Sequence, residues 1–270
     1  MSQLITPEAL AADPAAIVFD CRFSLADSNE GRRQYQAGHI PGARYADLEH
    51  DLSGPAGIGG RHPLPDSSAL TECLRSWGVS RDSDLVCYDQ NSGALACRFW
   101  WLVRWLGHAR VRVLDGGLDA WLAAGFPADV ERVAASRGDF EPGPSLTRSC
   151  SADDLVDSAV ALLDARDEAR FRGDEEPLDP IAGHIPGARC VPFTGNLEQG
   201  HFKPAAQLAA RFRSLGLATS DDIVCYCGSG VTATHNVLAL LEAGFGEPML
   251  YPGSWSEWIT DPARPVARGS

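Results

Sequence analysis

The chain has 270 residues, of which 44% are hydrophobic, and it carries a formal net charge of −13. This length suits one large or two ordinary domains, and the composition excludes both a disordered chain and a small disulfide-stapled one. The acidic balance argues against nucleic-acid or membrane-surface partners, and no apolar run reaches the roughly 20 residues of a membrane span. The first residues show no signal-peptide pattern, so we expect a cytoplasmic protein.

Read in order, the chain contains one domain twice. Gly-His-Ile-Pro-Gly-Ala-Arg stands at residues 38–44 and returns unchanged at residues 183–189. Four other pairs of similar segments follow the same order: 17–22 with 161–166, 75–79 with 213–217, 85–89 with 223–227, and 114–121 with 250–258. Such matching anchors indicate an internal duplication. We therefore predict a first domain over 1–132, a linker over 133–148 and a second domain over 149–270.

Each copy alternates predicted helices with short predicted strands. Thr6 before Pro7 is a helix-start signal in the first copy, and Ser151 with Asp154 resembles a capping box that would start a helix in the second. The apolar runs that follow are short, which is typical of buried strands. Strands that alternate with helices predict an α/β fold, in which each domain is a mostly parallel sheet flanked by helices on both faces.

The loop that follows residue 226 carries the most informative chemistry. A predicted strand over 223–226 ends at Cys227, a glycine-rich loop follows, and a helical pattern begins at Ala233. Glycines let successive backbone N–H groups turn toward one point, and a helix N-terminus adds roughly half a positive charge. Such a field favours a thiolate over a thiol. Cys227 is therefore the candidate nucleophile.

The remaining cysteines indicate neither a metal site nor a disulfide framework. None of the eight forms a Cys-x-x-Cys pair, and Cys21, Cys87 and Cys225 lie inside apolar strand-like runs. A reducing compartment suits this pattern, and we expect no metal and no cofactor. The first copy has Asp89 where the second has Cys227. We therefore expect only the second copy to be catalytic.

A histidine and an aspartate recur in both copies. His39 and His184 occupy the repeated heptapeptide, and Asp20 and Asp164 end the strand before it. Because they also occur in the copy that lacks the thiol, we interpret them as structural residues that fix these loops.

Together the motifs resemble those of two-domain rhodanese-type sulfurtransferases over essentially the whole chain. They are the repeated Gly-His-Ile-Pro-Gly-Ala, Gly-Gly-Leu-x-x-Trp at 116–121, Gly-Ser-Trp-x-Glu-Trp at 253–258 and the loop at 227–233. This loop is similar to that of 3-mercaptopyruvate sulfurtransferases, whereas rhodaneses that use thiosulfate tend to carry basic residues in it. The resemblance implies two tandem rhodanese-like domains and a ping-pong reaction. Cys227 would take sulfane sulfur from a small anionic donor, hold it as a covalent persulfide, and pass it to cyanide, a thiol or thioredoxin.

The resemblance also implies roles for residues outside the nucleophile. Ser229 and His62 match members of a proposed serine–histidine–acid relay, with Glu49 as its acid, or Asp47 or Asp51 nearby. The glycine-rich loop matches the substrate-binding loop of the family, which assigns substrate contacts to Gly228, Gly230, Val231 and Thr232.

Donor recognition includes one departure from the family pattern. Arg170 matches an arginine that binds the anionic group of the donor, but the Glu-Pro-Arg that usually follows reads Glu-Pro-Leu here and ends at Leu178. Loss of one charged hydrogen bond weakens binding by about 1.5–3 kcal/mol. Arg172 or another basic residue could replace it. The donor thus stays open between 3-mercaptopyruvate and thiosulfate.

Two other classes of protein are alternatives to a sulfurtransferase enzyme. Cysteine phosphatases and arsenate reductases need an arginine six residues after the cysteine, and this position is Ala233, so we reject that class. A non-catalytic sulfur-carrier module stays open and differs from an enzyme in lacking turnover. We expect a monomer.

Overall fold

The computed structural model describes residues 2–156 and 159–269 and divides the chain into two compact units. Unit 1 comprises Met1–Gly54, Pro65–Leu146 and Gln199–Phe202, and unit 2 comprises Pro55–Leu64, Thr147–Glu198 and Lys203–Ser270. The segment 55–64 thus comes from the first copy of the repeat but belongs to unit 2, and it carries His62. The sequence did not reveal this exchange.

Unit 1 is built on a parallel five-stranded sheet with the strand order β1-β5-β4-β2-β3. Its elements in chain order are β1 (Leu4–Ile5), α1 (Pro7–Ala11), β2 (Ile17–Asp20), α2 (Glu30–Ala37), β3 (Arg44–Tyr45), α3 (Ser67–Ser76), β4 (Leu85–Tyr88), α4 (Ala96–Trp105), β5 (Val111–Leu114) and α5 (Gly117–Ala123). Every residue of the central strand β4 is buried, because the sheet is covered on both faces.

Unit 2 repeats this sheet with the order β6-β12-β11-β7-β8. The elements up to residue 202 are β6 (Arg148–Ser149), a 3₁₀ turn (Asp153–Leu155), β7 (Ala161–Asp164), α6 (Glu168–Arg172), β8 (Arg189–Cys190), a second 3₁₀ turn (Phe193–Asn196), β9 (Leu197–Glu198) and, as part of unit 1, β10 (His201–Phe202). The later elements are α7 (Ala205–Ser214), β11 (Ile223–Tyr226), α8 (Ala233–Glu242), β12 (Met249–Leu250) and α9 (Ser254–Trp258). Two sheets of one topology confirm the predicted duplication and the predicted α/β fold.

The two predicted helix starts have different outcomes. Thr6 caps α1, since its Oγ1 accepts the N–H of Ala9 at 3.3 Å, which confirms the first prediction. The second prediction is wrong, because the structure has only a 3₁₀ turn over Asp153–Leu155. Ser151 and Asp154 do bond reciprocally, with N–H to side-chain distances of 2.8 and 3.4 Å, but Val156 is already extended. The cap therefore forms without a helix behind it.

The repeated aspartates are structural, as predicted. Asp20 is fully buried, pairs with Arg22 and accepts the hydroxyl hydrogen of Tyr88 at 2.8 Å. In unit 2, Asp164 is equally buried and pairs with Arg166 at 2.7 Å. Each arginine also donates to the carbonyl of the glycine that opens the repeated heptapeptide, at 2.7 Å. The pairs therefore fix the loop in both copies.

The repeated histidines have the same structural role. His39 stacks on Tyr35 and His184 on Phe171, with ring centroids 4.0 and 3.7 Å apart. In both, Nδ1 lies 2.7 Å from the backbone carbonyl of its stacking partner. Neither histidine needs a substrate to explain its burial.

The longest helices in the described ranges have ten residues, and none of them could cross a membrane. Residues 131–147 contain no helix or strand.

Candidate active site

Cys227 lies where strand β11 stops and the loop to α8 begins. The residue is only 2% exposed. Its backbone N–H donates to Ser254 Oγ at 3.1 Å, and its carbonyl accepts the N–H of Trp255 at 3.0 Å. The start of α9 therefore fixes the backbone of the candidate nucleophile on both sides.

Ser254 is a residue that the sequence analysis missed. Its φ of 55° lies in the left-handed region, which is strained for any residue with a side chain. The matching position of unit 1 is Gly117, with a φ of 59°, and the residue after it donates to the carbonyl of Asp89. In the sequence, the only indication of this role was that unit 2 has a serine at a position where unit 1 has a glycine. Its hydroxyl, which also donates to the Tyr251 carbonyl at 2.9 Å, explains the choice.

Two glycines of the loop lie close to other groups, and one of them is required by its backbone contact. Gly230 has a φ of 75°, and a Cβ atom at this position would lie 2.1 Å from the carbonyl oxygen of Pro252. A Cβ atom on Gly228 would lie 2.9 Å from Nη2 of Arg61 and 3.4 Å from Nη2 of Arg170. Gly230 therefore shapes the loop, and Gly228 leaves the space beside two guanidinium groups open.

The structure brings together two of the predicted relay residues. Ser229 Oγ and His62 Nδ1 are 2.8 Å apart, and both side chains are buried. The segment that carries the histidine is anchored by the N–H of Arg61, which donates to Ser256 Oγ at 3.0 Å. Gly60, at a φ of 98°, packs so closely on the start of α9 that a Cβ atom would meet a backbone oxygen at 2.8 Å. Backbone contacts thus hold His62 in place.

The predicted acid of the relay, Glu49, belongs to unit 1, whereas His62 belongs to unit 2. Glu49 is exposed, and its N–H donates to the carboxylate of Asp47. The carboxylate of Asp51, in turn, accepts the N–H of Asp47 at 2.8 Å. Burial raises the pKa of Asp51 above its ordinary value. The two aspartates thus close a turn within unit 1, and the role of Glu49 stays a prediction.

Arg170 is placed beside the loop by two buried carboxylates. Its Nε and Nη2 bind Glu176 at 3.2 and 2.8 Å, and Nη2 also lies 3.2 Å from Asp179. Burial raises the pKa of Asp179 above its ordinary value, against the opposing charges of Arg61 and Arg170. The predicted donor-binding arginine is therefore held rigidly against Gly228.

A second guanidinium at this place comes from Arg61, which the sequence analysis did not propose. Its Nη1 forms an ion pair with Asp179, so one carboxylate holds both arginines. Arg172, the suggested replacement, is instead half-exposed and pairs with Glu168 and Asp174 at 3.2 and 2.8 Å. The only sequence signal for Arg61 was its position next to His62.

The other predicted loop residues surround the start of α8. Val231 is buried, and Thr232 is the N-cap residue of α8, without a side-chain capping bond. Two residues before Cys227, burial raises the pKa of Cys225 and keeps it a core thiol. In the described residues all eight cysteines are free, and no group of three metal-ligating side chains occurs.

The corresponding loop of unit 1 contains a built-in anion. Asp89 is buried, and its carboxylate accepts backbone N–H groups from Gly93 at 2.9 Å, Leu95 at 2.8 Å and Ala96 at 3.4 Å. Burial raises the pKa of Asp89, while these three hydrogen bonds act in the opposite direction. In unit 1, backbone donors therefore bind a carboxyl group at the position that corresponds to Cys227.

Fold and site together define a duplicated α/β protein with a single loop thiol beside two arginines. A family model for the rhodanese-like domain matches residues 7–124 and 151–261. The chain therefore belongs to the rhodanese family, as its motifs predicted.

Named relatives agree with this assignment. The chain is 51% identical to a "Probable 3-mercaptopyruvate sulfurtransferase" of Pseudomonas aeruginosa, over 99% of each chain, and 32% identical to the thiosulfate sulfurtransferase of Cricetulus griseus, over 91% and 86%. Among solved structures, the 3-mercaptopyruvate sulfotransferase SseA of Escherichia coli is similar with a TM-score of 0.83 and 30% identity, over 95% of this chain and 100% of that one. The predicted resemblance to 3-mercaptopyruvate sulfurtransferases is confirmed.

Proposed function

We propose that this protein moves sulfane sulfur from 3-mercaptopyruvate to a thiophilic acceptor through a persulfide on Cys227. The comparison of the two loops carries the proposal: the position at which unit 1 binds a carboxylate with three N–H groups holds a thiol in unit 2. Backbone donors and a helix N-terminus stabilise a thiolate and a persulfide anion without a metal. The named relatives support the reaction class.

The donor step is a displacement at sulfur. The Cys227 thiolate attacks the sulfur of mercaptopyruvate, an S–S bond forms, and the C–S bond breaks with its electron pair left on carbon. The thiol proton of the donor moves to that carbon, so the products are pyruvate and a Cys227 persulfide anion. Cyanide then attacks the outer sulfur, which gives thiocyanate and regenerates the thiolate. A thiol or thioredoxin is the alternative acceptor.

The Ser229–His62 pair is suited to the proton transfer of the donor step. Its 2.8 Å contact gives a short path from a hydroxyl two residues after the nucleophile to an imidazole. Histidine changes its charge near neutral pH, and a positioned acid–base group contributes about 100- to 10,000-fold to a rate. We propose that Ser229 and His62 act together in this role, with Glu49 as the acid of the relay.

Thiosulfate is the alternative donor, because its oxygens would suit the same two arginines and because one named relative is a thiosulfate sulfurtransferase. We further propose a monomeric protein that works without a cofactor in the cytoplasm. Eight free thiols are compatible with such a reducing compartment.

Steady-state turnover tests the proposal. The protein is incubated with cyanide and either 3-mercaptopyruvate or thiosulfate, and thiocyanate is followed together with pyruvate. We expect multiple turnovers and a higher kcat/KM for mercaptopyruvate. A higher value for thiosulfate would change the donor, whereas a single turnover with both donors would leave only a sulfur-carrier module.

A further inference from the structure

We infer that Arg61 is the specificity-determining residue that binds the carboxylate of the donor in place of the arginine missing at Leu178. This inference rests on the proposed function and names the donor as a 2-oxo acid recognised by a two-point contact. The side chain reaches the site because segment 55–64 belongs to unit 2.

The donor atoms of Arg61 are divided between a structural contact and an edge that has no hydrogen-bond partner among the described residues. Nη1 pairs with Asp179, which fixes the plane of the guanidinium. Nε is buried and has no hydrogen-bond partner among the described residues, and Nη2 is the atom closest to a Cβ position on Gly228, at 2.9 Å. The Nε–H and one Nη2–H point the same way and form the fork that matches the two oxygens of a carboxylate.

Most N–H donors of Arg170 are already bonded to carboxylates of the protein, so fewer are available to a substrate than the family match implies. Its own Nε–Nη2 fork binds Glu176, and Nη2 also contacts Asp179. What remains toward the loop is Nη1, which would lie 3.5 Å from a Cβ atom on Gly228. Arg170 can therefore contact the donor through a single nitrogen, while the two-nitrogen fork falls to Arg61.

Position 178 takes no part in binding an anion. The Leu178 side chain is 43% exposed and apolar, and its backbone N–H donates to Glu176 at 3.1 Å. This bond helps to hold the carboxylate that occupies the Arg170 fork. A buried donor atom without a partner costs free energy, and a carboxylate bound at the Nε–Nη2 fork of Arg61 would remove that cost.

The two guanidinium groups lie close to the loop at residue 228. A Cβ atom there would lie 2.9 Å from Nη2 of Arg61 and 3.4 Å from Nη2 of Arg170, so the ends of these side chains would have to shift. Glycine is found where a ligand or another group must approach the backbone closely. The carboxylate of the donor would thus lie beside Gly228, directly after the nucleophile in the chain.

The test compares Arg61→Ala, Arg61→Lys and the control Arg172→Ala, whose side chain is paired away from the loop. KM and kcat are measured with 3-mercaptopyruvate, and pyruvate, which keeps the carboxylate but has no sulfur, is used as a competitive inhibitor. We expect both Arg61 variants to raise KM and the pyruvate inhibition constant in parallel, by about 10- to 100-fold, the scale of a charged hydrogen-bond pair. Lysine fails because it keeps the charge but not the fork. The control should match the wild-type protein.

Rescue and folding controls make the result decisive. Urea unfolding of the Arg61 variants is the folding control: the backbone N–H bond to Ser256 persists, the ion pair with Asp179 is lost, and the variants should still unfold in one cooperative transition. Adding Leu178→Arg to Arg61→Ala should recover part of the lost affinity for pyruvate. Unchanged KM and inhibition constants in Arg61→Ala, with a turning-over wild-type protein, would overturn the inference alone. A wild-type protein that never transfers sulfur would overturn the proposed function instead.

Discussion

The two loops that follow the central strands make a direct comparison between a filled and an open anion site. After β4, the carboxylate of Asp89 accepts three backbone N–H groups, and the next residue, Gln90, donates its side-chain amide to Asp119 at 2.6 Å. After β11, the same two positions are Cys227 and Gly228. In unit 1, therefore, the side chains of the loop bind one another and the backbone. In unit 2, the same positions hold a thiol and a glycine, which leave room for a substrate.

The fold supplies backbone N–H donors and a helix N-terminus in both loops. The residue at the end of the strand determines whether these donors bind a structural side chain or a nucleophile. The carboxyl group of Asp89 occupies the backbone donors and becomes a structural cap. A thiolate at the same position can form and break bonds to sulfur. The backbone donors and the helix N-terminus can then stabilise a reacting group instead of a structural one. Because one chain retains both loops, unit 1 serves as an internal reference for the loop of unit 2.

Cys227→Ser removes the one group that distinguishes the open loop, and it has the largest expected effect. A serine oxygen cannot carry sulfane sulfur, so thiocyanate formation should fall below about 1% of wild type, as for the loss of a catalytic nucleophile. Cys73→Ser, in α3 of unit 1, is the matched control and should keep wild-type turnover. Residual activity of more than a few per cent in Cys227→Ser would show that Cys227 is not the nucleophile.

His62→Asn breaks the contact with Ser229 while leaving the backbone anchor of segment 55–64 intact. Loss of a positioned acid–base group should lower kcat about 100-fold with a smaller change in KM. His201→Asn is the control, since His201 makes an exposed contact with Asp115 in unit 1. A kcat equal to that of the control would mean that the buried pair is structural.

Substitutions of Ser254 test how much this serine contributes to the free energy of unfolding. Ser254→Ala keeps the left-handed backbone but leaves the Cys227 N–H and the Tyr251 carbonyl unpaired, so we expect a loss of about 2–3 kcal/mol in the free energy of unfolding. Ser254→Gly loses the same bonds but relieves the strain, as Gly117 does in unit 1, and should be about 1 kcal/mol more stable than the alanine variant. Urea unfolding measures both. The reverse ranking would refute a strained, hydrogen-bonded serine.

Asp89→Asn tests the filled loop through its pH dependence. Burial raises the pKa of Asp89, so the folded chain binds more protons than the unfolded one, and stability falls as pH rises from about 4 through the raised value. Asparagine cannot ionise, so the variant lacks this part of the fall. Between pH 4 and 7 the free energy of unfolding should therefore fall more in the wild-type protein than in the variant. Parallel pH profiles would contradict the assigned cause.

Much of the fold could be predicted because its signals are local or repeated. Short buried strands, the duplicated heptapeptide and the loop at Cys227 are each visible in a few consecutive residues. The helix predicted after Ser151 failed because a cap ensures only the first turn, and the chain becomes extended at Val156.

The least predictable parts of the site depend on contacts between residues far apart in sequence. Arg61 meets Asp179 across 118 positions, and no pattern around Arg61 shows that its segment belongs to unit 2. Ser254 was overlooked because its role requires a backbone angle that serine rarely adopts. In both cases the function follows from the position that the fold imposes, not from the residue type.

The proposed mechanism requires that sulfur is carried on Cys227 and on no other cysteine. The direct measurement is mass spectrometry of the protein after one equivalent of 3-mercaptopyruvate, without acceptor, followed by tryptic mapping. One peptide contains both Cys225 and Cys227, so fragmentation between them must place the added sulfur. We expect one added sulfur on Cys227, absent in Cys227→Ser and released as thiocyanate by cyanide. Sulfur found on Cys225 or on any other thiol, with Cys227 unmodified, would contradict it.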